Sequence, residues 1–416
     1  MSETSRVYID KLVHGGQGIG TLPDGKKVFV WNALPGEQVD IRLTKSRRGY
    51  AEGVAENVVT SSPSRVEPLD EAYLSTSPWQ IMDFATENES KKAILVEAMD
   101  RELVKIVTPI VMNNGGNEWY YRNKMEYSFW ADDDGIHPAL FNRGTHNKQI
   151  VAGSSIARPE IDQVVQKVCS ILTKTGVRGS QLKSIIIRCD QQGSCVLALY
   201  VKDELFPDIP DLKSLCKGVV VNYSTPKSPA SVITKELYRY GDTVLTDNVM
   251  GRDISYDVTS FFQVNVPVFA AVLSTIKSAV TQEVVVDMYS GVGTIGLYVG
   301  DDAVLVELDA GNIAMAERNR GPGNMVVHAS SESALEYVIP GSTLIVDPPR
   351  AGLHAKLIDH VLQTKPKQII YLSCNPSTQA RDLALLQQKY TVDSVTGYNF
   401  FPKTPHIESL AILNIQ

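Results

Sequence analysis

The carboxyl-terminal third of the chain alternates short apolar runs with helical patterns, and this alternation constrains the fold more than any other feature. The runs that we interpret as strands span residues 283–288, 303–307, 343–347 and 368–373. A helical pattern lies between them at residues 310–319. Buried strands that are separated by helices form a doubly wound, mostly parallel sheet. We therefore predict an α/β domain over residues 251–416.

Two further domains precede it. Residues 5–60 carry short alternating runs between glycine-rich turns, a pattern typical of a small closed β-barrel, so we predict a barrel domain over residues 1–60. Residues 61–250 form a central α+β domain in this prediction. A linker composition opens that domain, a helical pattern covers residues 91–104, and strand-like runs follow at 184–188, 196–200 and 218–221.

Composition excludes some classes of protein. The net charge of −7 argues against a protein that binds nucleic acid through its bulk charge, although a local basic face remains compatible with it. No apolar run is long enough to span a bilayer. Five cysteines lie far apart or singly, without a Cys-x-x-Cys pair: Cys169, Cys189, Cys195, Cys216 and Cys374. We therefore expect neither a disulfide framework nor structural zinc, and a cytoplasmic location.

A cysteine at the end of a strand is the first candidate for chemistry. The apolar run 369–372 ends in Ser373-Cys374, and Asn375-Pro376 then stops the strand before a helical pattern begins. Cys374 thus lies at the carboxyl end of a strand, where open α/β sheets bind their ligands. Its thiol is a candidate nucleophile. The alternative is a buried cysteine that acts as a small hydrophobic side chain.

A glycine-rich turn follows the first of the carboxyl-terminal strands. Gly291, Gly293 and Gly296 match the spacing Gly-x-Gly-x-x-Gly, and Glu307 lies about 20 residues after Asp287, at the usual distance of an acid that binds a ribose hydroxyl. This pattern serves S-adenosylmethionine (SAM) and dinucleotides equally. Glycines that merely form a turn are the third interpretation.

Two acidic motifs complete the set. Asp347-Pro-Pro-Arg350 ends a strand, and its prolines fix the backbone so that Asp347 points into the crevice. Glu408 lies just before the last strand. With Cys374, these motifs favour one mechanism. A thiolate that adds to carbon 6 of uracil makes carbon 5 nucleophilic toward a methyl donor, and a carboxylate such as Glu408 then removes the carbon 5 proton. That mechanism calls for a cysteine of lowered pKa.

Taken in order, these motifs resemble those of the SAM-dependent RNA uracil-C5 methyltransferases. The motifs that carry the resemblance are Tyr121-Arg-Asn-Lys-Met-Glu126, Phe262-Gln-Val-Asn265, Asp287-Met-Tyr-Ser-Gly-Val-Gly293, Asp347-Pro-Pro-Arg-Ala-Gly352, Ser373-Cys-Asn-Pro-Ser-Thr-Gln-Ala-Arg-Asp382 and His406-Ile-Glu408. The amino-terminal segment resembles the TRAM domain, a small RNA-binding barrel. The loop of Lys45, Arg47, Arg48 and Tyr50 is then either a phosphate contact or a plain surface loop.

The resemblance implies a fold and a site. The fold is a TRAM/OB-like β-barrel, a central RNA-recognition domain and a Rossmann-like methyltransferase domain, with the helix near residues 91–104 packed on the last of these. Cys374 is implied as the nucleophile and Glu408 as the proton acceptor. The residues implied to line the SAM site are Gln263, Tyr289, Gly291, Gly293, Thr294, Glu307 and Asp347.

The sequence departs from the family pattern in two places. Many members hold a [4Fe-4S] cluster with four cysteines, but here Ser77 and Ser154 stand at two of the expected positions. Serine lacks the thiolate that such clusters require, so we expect no iron–sulfur cluster and no other metal. Near the adenine site, Ser330 stands where an acidic or amide residue is usual, which leaves its contact with the cofactor open.

Two alternatives from other classes remain. The missing cluster ligands and the acidic net charge fit a catalytically silent RNA-binding protein on a methyltransferase scaffold, and the glycine-rich turn alone fits an NAD-linked dehydrogenase. Analogy with TRAM-containing bacterial members favours ribosomal over transfer RNA as the substrate. We expect a monomer that binds RNA and no membrane.

Overall fold

The computed structural model describes residues 4–143, 145, 147–228 and 231–416. The amino-terminal strands form a closed barrel in the order β1-β2-β3-β5-β4. Their bounds are β1 (Thr4–Leu12), β2 (Gly18–Thr21), β3 (Lys27–Trp31), β4 (Gln38–Ser46) and β5 (Tyr50–Thr60). Alternate residues such as Val7, Ile9, Val28 and Val30 fill its interior. Gly20 is needed here, because a Cβ at this position would lie 2.4 Å from the Tyr8 carbonyl oxygen.

The central region is built on a seven-stranded sheet in the order β13-β12-β11-β10-β7-β8-β9. The elements from residue 73 to residue 257 are α1 (Tyr73–Thr76), α2 (Phe84–Arg101), β6 (Val111–Asn113), β7 (Lys124–Asp132), β8 (Gly135–Phe141), β9 (Lys148–Ile150), α3 (Pro159–Lys174), β10 (Leu182–Cys189), β11 (Cys195–Val201), β12 (Gly218–Tyr223), β13 (Lys235–Gly241), β14 (Val244–Val249) and β15 (Arg252–Asp257). Helix α3 packs on one face of this sheet, and the β14–β15 hairpin covers part of the other.

The carboxyl-terminal region forms an eight-stranded sheet in the order β18-β17-β16-β19-β20-β22-β21-β6. Its further elements are α4 (Val266–Ala279), β16 (Val285–Met288), α5 (Thr294–Val299), β17 (Val304–Glu307), α6 (Ala310–Asn319), β18 (Met325–His328), β19 (Thr343–Val346), α7 (Ala355–Thr364), β20 (Gln368–Ser373), α8 (Pro376–Leu386), β21 (Tyr390–Tyr398) and β22 (Glu408–Ile415). Strands β16 to β20 run parallel, whereas β22 runs antiparallel to β20. The predicted α/β fold class is confirmed.

Several predicted elements have different bounds in the structure, and two of the differences have a clear cause. Strand β16 begins at Val285 and not at Glu283, because Val284 is 46% exposed outside the sheet. Helix α2 begins at Phe84, seven residues before the predicted start. Asp83 caps it by accepting a 2.8 Å hydrogen bond from the Thr86 N–H. The first two turns of the helix are mostly polar, so the spacing of apolar residues does not reveal where the helix begins.

Helix α2 and strand β6 belong spatially to the carboxyl-terminal sheet. Leu95, Ala98 and Met99 of α2 share a hydrophobic cluster with β19, β20, α8 and β21. Strand β6 pairs in parallel with β21 and forms the edge of the sheet. A segment from the first third of the chain thus completes the sheet formed by the last third.

No disulfide framework was expected from the sequence, and the bond that joins one pair of cysteines was not foreseen. Cys189 ends β10 and Cys195 begins β11, and the two residues lie directly opposite each other in this antiparallel hairpin, with their Cα atoms 4.2 Å apart. They form a disulfide. A separation of six residues gave no sign of this pairing, because only the hairpin register brings the two side chains together.

Among the helices of the described ranges, none combines the length and the apolar character needed to cross a bilayer.

Candidate active site

The ends of five neighbouring strands line one cavity of about 1170 Å³. Strands β16, β17, β19 and β20 contribute their carboxyl ends, and β22 contributes its amino end because it runs antiparallel. Seven of the nine predicted site residues line this cavity: Gln263, Tyr289, Gly291, Glu307, Asp347, Cys374 and Glu408. Such a crevice at the carboxyl ends of strands is where α/β sheets bind ligands.

Cys374 and Glu408 are held side by side by the pairing of two strands. Ser373 is paired with Ser409 at the end of the β20–β22 ladder. Cys374 directly follows the last residue of β20, and Glu408 is the residue of β22 that precedes Ser409. Residues at opposite positions of an antiparallel pair point to the same face of the sheet, with Cβ atoms roughly 5 Å apart. Thiol and carboxyl group therefore face the cavity together.

A side-chain bridge joins the two loops that flank the thiol. Asn375 donates a 2.9 Å hydrogen bond from Nδ2 to the Arg350 carbonyl oxygen, and Thr378 donates a 3.2 Å bond to the same oxygen. The Asn375 Oδ1 atom caps helix α8 by accepting from the Ser377 N–H. The sequence Asn-Pro-Ser-Thr after Cys374 thus fixes the loop of Asp347 and Arg350 against the start of α8.

Burial sets the protonation states of this pair. The pKa of Cys374 is raised to about 11 by desolvation and by the negative charges of Glu408 and Asp347, while Arg350 opposes the rise. The pKa of Glu408 is likewise well above its ordinary value, because the carboxyl is buried and lies near Asp347. The expectation of a lowered cysteine pKa therefore does not describe the free protein, since burial outweighs the positive charge of Arg350.

The glycine-rich turn after β16 has polar atoms that face no protein partner. Gly291 and Gly293 have φ angles of 56° and 90°, which side-chain-bearing residues rarely adopt. Asp287 accepts the Gly296 N–H with Oδ2 at 2.7 Å. Its Oδ1 atom and the Ser290 hydroxyl are buried without a hydrogen-bond partner in the described part of the chain. Unsatisfied polar atoms beside a glycine-rich turn fit a polar ligand such as SAM.

Glu307 closes this turn from the next strand. Its Oε2 atom accepts the Gly291 N–H at 2.8 Å, and Oε1 accepts the N–H groups of Leu308 and Asp309. The carboxylate is thereby oriented at the end of β17, and it lines the cavity. This is the position from which an acid reaches a ribose diol in nucleotide-binding α/β folds.

Gly293 and Thr294 do not line the cavity. A Cβ at Gly293 would lie 3.0 Å from Leu297 and Leu305, so the glycine permits close packing of α5 on the sheet. Thr294 is buried at the first position of α5. Both residues pack on the side of the turn away from the cavity, and Gly291 is the part of the turn that lines it.

Tyr289 and two serines form another wall. Tyr289 has a φ angle of 65°, a strained conformation for a bulky residue, and its hydroxyl accepts a 2.6 Å hydrogen bond from Ser331. Ser330 also lines the cavity, and its hydroxyl lies 2.9 Å from that of Ser333. Of the two serines, Ser331 thus has the direct link to the predicted cofactor residue Tyr289.

Hydrogen bonds connect the residues at the expected cluster positions. Ser77 accepts a 2.7 Å bond from Gln80 Nε2, which also donates to Asp70 at 2.8 Å. Ser154 reaches the same Asp70 carboxylate at 3.4 Å. These side chains offer hydroxyl, amide and carboxylate groups and no thiolate, so they do not fit an iron–sulfur cluster. Within the ranges that the structure describes, no group of three or more His, Cys, Asp or Glu residues is arranged to hold a metal ion.

A buried ion pair supports the segment that leads into Glu408. Lys91 and Glu87 of helix α2 are fully buried and lie 2.8 Å apart. Lys91 also donates to Asn399 Oδ1 and to the Phe401 carbonyl oxygen, at 2.6 and 3.0 Å, while Glu87 accepts the Lys403 N–H at 3.0 Å. Helix α2 thus fixes the loop between β21 and β22, and with it the approach to the carboxylate.

Several residues of the cavity carried no predicted role. Phe261 is 60% exposed on its rim, and Arg122, Lys124 and Arg350 contribute positive charge to its wall. A doubled aromatic before Gln263 was the available signal for Phe261. The basic residues stand within the motifs of the family resemblance, but no role in the cavity was assigned to their side chains.

Comparisons with known proteins find similar RNA methyltransferases. Residues 336–416 match the family model described as tRNA (Uracil-5-)-methyltransferase, and residues 2–55 match the model of the TRAM domain. A protein of Enterococcus faecalis named an uncharacterized RNA methyltransferase is 29% identical over 99% of this chain and 97% of its own length. A Bacillus anthracis protein of the same name is 27% identical over 100% of this chain and 98% of its own.

The fold also has a solved counterpart. The crystal structure of the Pyrococcus abyssi tRNA (uracil-54, C5)-methyltransferase in complex with S-adenosyl-L-homocysteine superposes with a TM-score of 0.80. It is 23% identical, and the match covers 98% of this chain and 100% of that one. At this identity the likeness concerns the fold alone. The family and domain models, the full-length relatives and the motifs around the cavity together make this chain similar to the SAM-dependent RNA uracil-C5 methyltransferases.

Proposed function

We propose that the protein transfers a methyl group from SAM to carbon 5 of a uridine in structured RNA. The observation that carries this proposal is the placement of Cys374 beside Glu408 at the end of the β20–β22 ladder, in the cavity that Asp347 and Glu307 also line. An assignment as an NAD-linked dehydrogenase leaves the Ser-Cys-Asn-Pro and His-Ile-Glu motifs unexplained. A silent scaffold has no reason to keep both groups in the cavity.

The cofactor has a natural place along the glycine-rich turn. In our proposal, Gly291 lets the backbone approach the ligand, and the carboxylate of Glu307 binds the ribose hydroxyls. Gln263, Tyr289 and Asp347 line the remainder, while Gly293 and Thr294 hold the turn. Bound there, SAM supplies an electrophilic methyl group.

Cys374 prepares the uracil for methylation. The Sγ atom of the thiolate forms a bond to carbon 6, and the electron pair of the 5,6 double bond moves onto the enolate that carbon 5 and the carbon 4 carbonyl share. Carbon 5 then takes the methyl group, whose bond to the sulfonium sulfur breaks with departure of S-adenosylhomocysteine. Burial raises the pKa of the thiol to about 11, so the reacting thiolate is a minor form of the free protein at neutral pH, and the positive charge of Arg350 favours it.

Glu408 completes the reaction by removing the carbon 5 proton. The electrons of that C–H bond restore the 5,6 double bond, and the bond between Sγ and carbon 6 breaks. A carboxylate of raised pKa is a stronger base than an exposed one. Burial also favours the neutral acid that results, so the same surroundings that raise the pKa of Glu408 suit it to accept this proton.

For the substrate, we propose ribosomal RNA first and transfer RNA as the alternative. The amino-terminal barrel supplies an RNA-binding module, and the target base must leave its stack to enter the cavity. The matched family model and the Pyrococcus abyssi protein are both described by transfer RNA, which makes it the second substrate to test.

The test is methyl transfer from labelled SAM to unmodified ribosomal and transfer RNA, side by side, with digestion to nucleosides to identify 5-methyluridine. Cys374→Ala is the control, and it should bind SAM as the unaltered protein does. Label that enters one RNA and disappears with Cys374→Ala supports both reaction and mechanism. Label that persists in the variant contradicts the covalent mechanism. SAM binding without label in either RNA favours a silent RNA-binding protein.

A further inference from the structure

One part of the central sheet exposes large apolar side chains. Trp130, Phe141 and Ile150 are 44%, 47% and 45% exposed. The strand register places all three on the same face, because Ala139 lies opposite both Ser128 and Ile150. Trp130 lies two residues after Ser128 on β7, and Phe141 lies two residues after Ala139 on β8. Residues two apart on a strand share a face.

This face is covered at one end and open at the other. Along β10 and β11 the same face packs against the β14–β15 hairpin and α4, through residues such as Ile186 and Tyr200. On β7, β8 and β9, by contrast, Trp130, Phe141 and Ile150 face solvent. The opposite face of the sheet packs on α3. Exposed apolar clusters of this kind mark interaction sites.

Positive charge lies among the aromatic rings. The Lys148 ammonium group is 5.0 Å from the centre of the Phe141 ring and donates a 3.0 Å hydrogen bond to the Phe129 carbonyl oxygen. Lys148, Trp130 and Arg178 line one shallow surface pocket. The nearest acids bound this region on two sides, at the hairpin tip of residues 132–134 and at Glu126. We call Trp130, Phe141, Lys148 and Ile150 the aromatic face.

Part of the proposed active site lies on the same side of β7 as the aromatic face. Lys124 and Glu126 share that side with Trp130, and both line the catalytic cavity. Six residues of extended strand separate Lys124 from Trp130, a distance of roughly 20 Å. Between them Ser128 is buried, and Ser231 donates a hydrogen bond to Glu126. An RNA strand that reaches both the cavity and the aromatic face therefore passes around the Ser231 segment.

We propose that the aromatic face binds single-stranded RNA that flanks the target uridine. The inference deepens the proposed function and rests on it for the identity of the partner. Bases stack on exposed aromatic rings of a sheet, and neighbouring cations hold the phosphates, without a requirement for one base sequence. The combination of exposed rings with Lys148 and Arg178, on the same strand as residues of the cavity, favours RNA over a protein partner.

Binding can be measured apart from catalysis. The probe is a fluorescein-labelled oligouridylate of about twelve nucleotides, a length within the usual site size for single strands, followed by anisotropy with the full-length protein. Trp130→Ala and Phe141→Ala should each weaken binding about 5- to 150-fold, as expected for loss of one base–aromatic stack. Trp130→Phe should restore most of the affinity. Lys148→Gln should reduce the salt dependence of log K by about 0.7.

The matched control is a lysine–aromatic pair on the other face of the same sheet. Lys213 lies 4.4 Å from the Tyr240 ring, which packs on the α3 side, so Lys213→Gln should leave binding unchanged. Circular dichroism of each variant excludes misfolding. The inference is overturned if the unaltered protein does not bind the probe, or if Trp130→Ala and Phe141→Ala bind it normally. It is also overturned if these variants change only self-association in light scattering.

Because the probe assay needs no methyl transfer, its outcome is independent of the proposed reaction. Loss of oligouridylate binding in Trp130→Ala, in a protein that methylates neither RNA, would support the aromatic face and contradict the enzyme. If Trp130→Ala methylates RNA and binds the oligouridylate normally, the result would support the enzyme and contradict the aromatic face.

Discussion

Ser373 lies opposite Ser409 in the last pair of the β20–β22 ladder, and this pairing sets the relative position of Cys374 and Glu408. Both serines are buried, and the Ser409 hydroxyl donates a 2.5 Å hydrogen bond to the fully buried Gln379. The strand register fixes the two reactive groups more rigidly than loops would. A slip of one residue would turn Glu408 to the other face of the sheet.

Replacing the proposed base should trap the reaction after methyl transfer. In Glu408→Gln, the thiolate can still add to carbon 6 and carbon 5 can still be methylated, but the carbon 5 proton has no acceptor. We expect a covalent protein–RNA adduct that survives denaturing electrophoresis, and turnover reduced by about 100-fold or more. Glu336→Gln, an exposed change in the same domain, is the control. An adduct released as fast as in the unaltered protein would contradict the role of Glu408.

The pH dependence follows from the raised pKa of the thiol. Below a pKa of about 11, the fraction of Cys374 thiolate in the free protein falls roughly tenfold per pH unit. Since Glu408 must also be ionised to accept a proton, kcat/KM should rise with pH between about 7 and 10. A rate that falls over this range would contradict a thiolate nucleophile.

Arg350 should shift this profile. Its positive charge lowers the pKa of Cys374, so Arg350→Gln should raise that pKa further and move the profile to higher pH. Loss of activity at pH 7 should therefore be partly recovered at pH 9. Lys356→Gln, an exposed change in α7, is the matched loss of charge and should leave the profile in place. An equal loss of activity at every pH would mean that Arg350 acts in substrate binding and not on the pKa of Cys374.

The ion pair of helix α2 should matter for stability. Lys91→Met leaves the Glu87 carboxylate buried without its 2.8 Å partner, and we expect a loss of about 3 kcal/mol in the free energy of unfolding. Urea denaturation followed by circular dichroism measures it. The double variant Glu87→Gln with Lys91→Met removes both charges and should lose less than Lys91→Met alone. A double variant that is the less stable of the two would contradict a dominant charge effect.

The disulfide should contribute a smaller amount. Closing the short loop between Cys189 and Cys195 restricts the unfolded chain by about 2 kcal/mol in the entropic model. Thermal unfolding of the unaltered protein should therefore shift downward on addition of dithiothreitol, and the shift should vanish in Cys195→Ser. Cys216→Ser changes a free cysteine and should retain it. A shift of equal size in Cys195→Ser would exclude the disulfide as its cause.

Much of the carboxyl-terminal fold could be predicted because its signals are local. The apolar run before Cys374 and the Asn-Pro after it predict where β20 ends and α8 begins, and both elements occur there. The family and the barrel followed from motifs that lie within short segments. The proximity of Cys374 to a strand end likewise needed only neighbouring residues.

The remainder depends on contacts between distant segments. The raised pKa of Cys374 depends on Glu408 and Asp347, which a sequence pattern does not bring within charge–charge range. The Cys189–Cys195 disulfide depends on the register of a hairpin. Gly293 and Thr294 belong to the glycine-rich motif, yet neither lines the cavity, and Gly293 instead packs against Leu297 and Leu305. Sequence patterns locate such residues but not the direction in which they face.

Helix α2 and strand β6 have a consequence for synthesis of the chain. Both elements have been synthesised once translation reaches residue 113, but their partners α8 and β21 are complete only when it reaches residue 398. Leu95 and Met99 therefore remain without their packing partners while most of the protein is made. Domains of nascent proteins usually fold in order from the amino terminus. Here the amino-terminal barrel can follow that order, whereas the catalytic sheet must await β21 and β22, and a fragment starting at residue 251 would lack its edge strand.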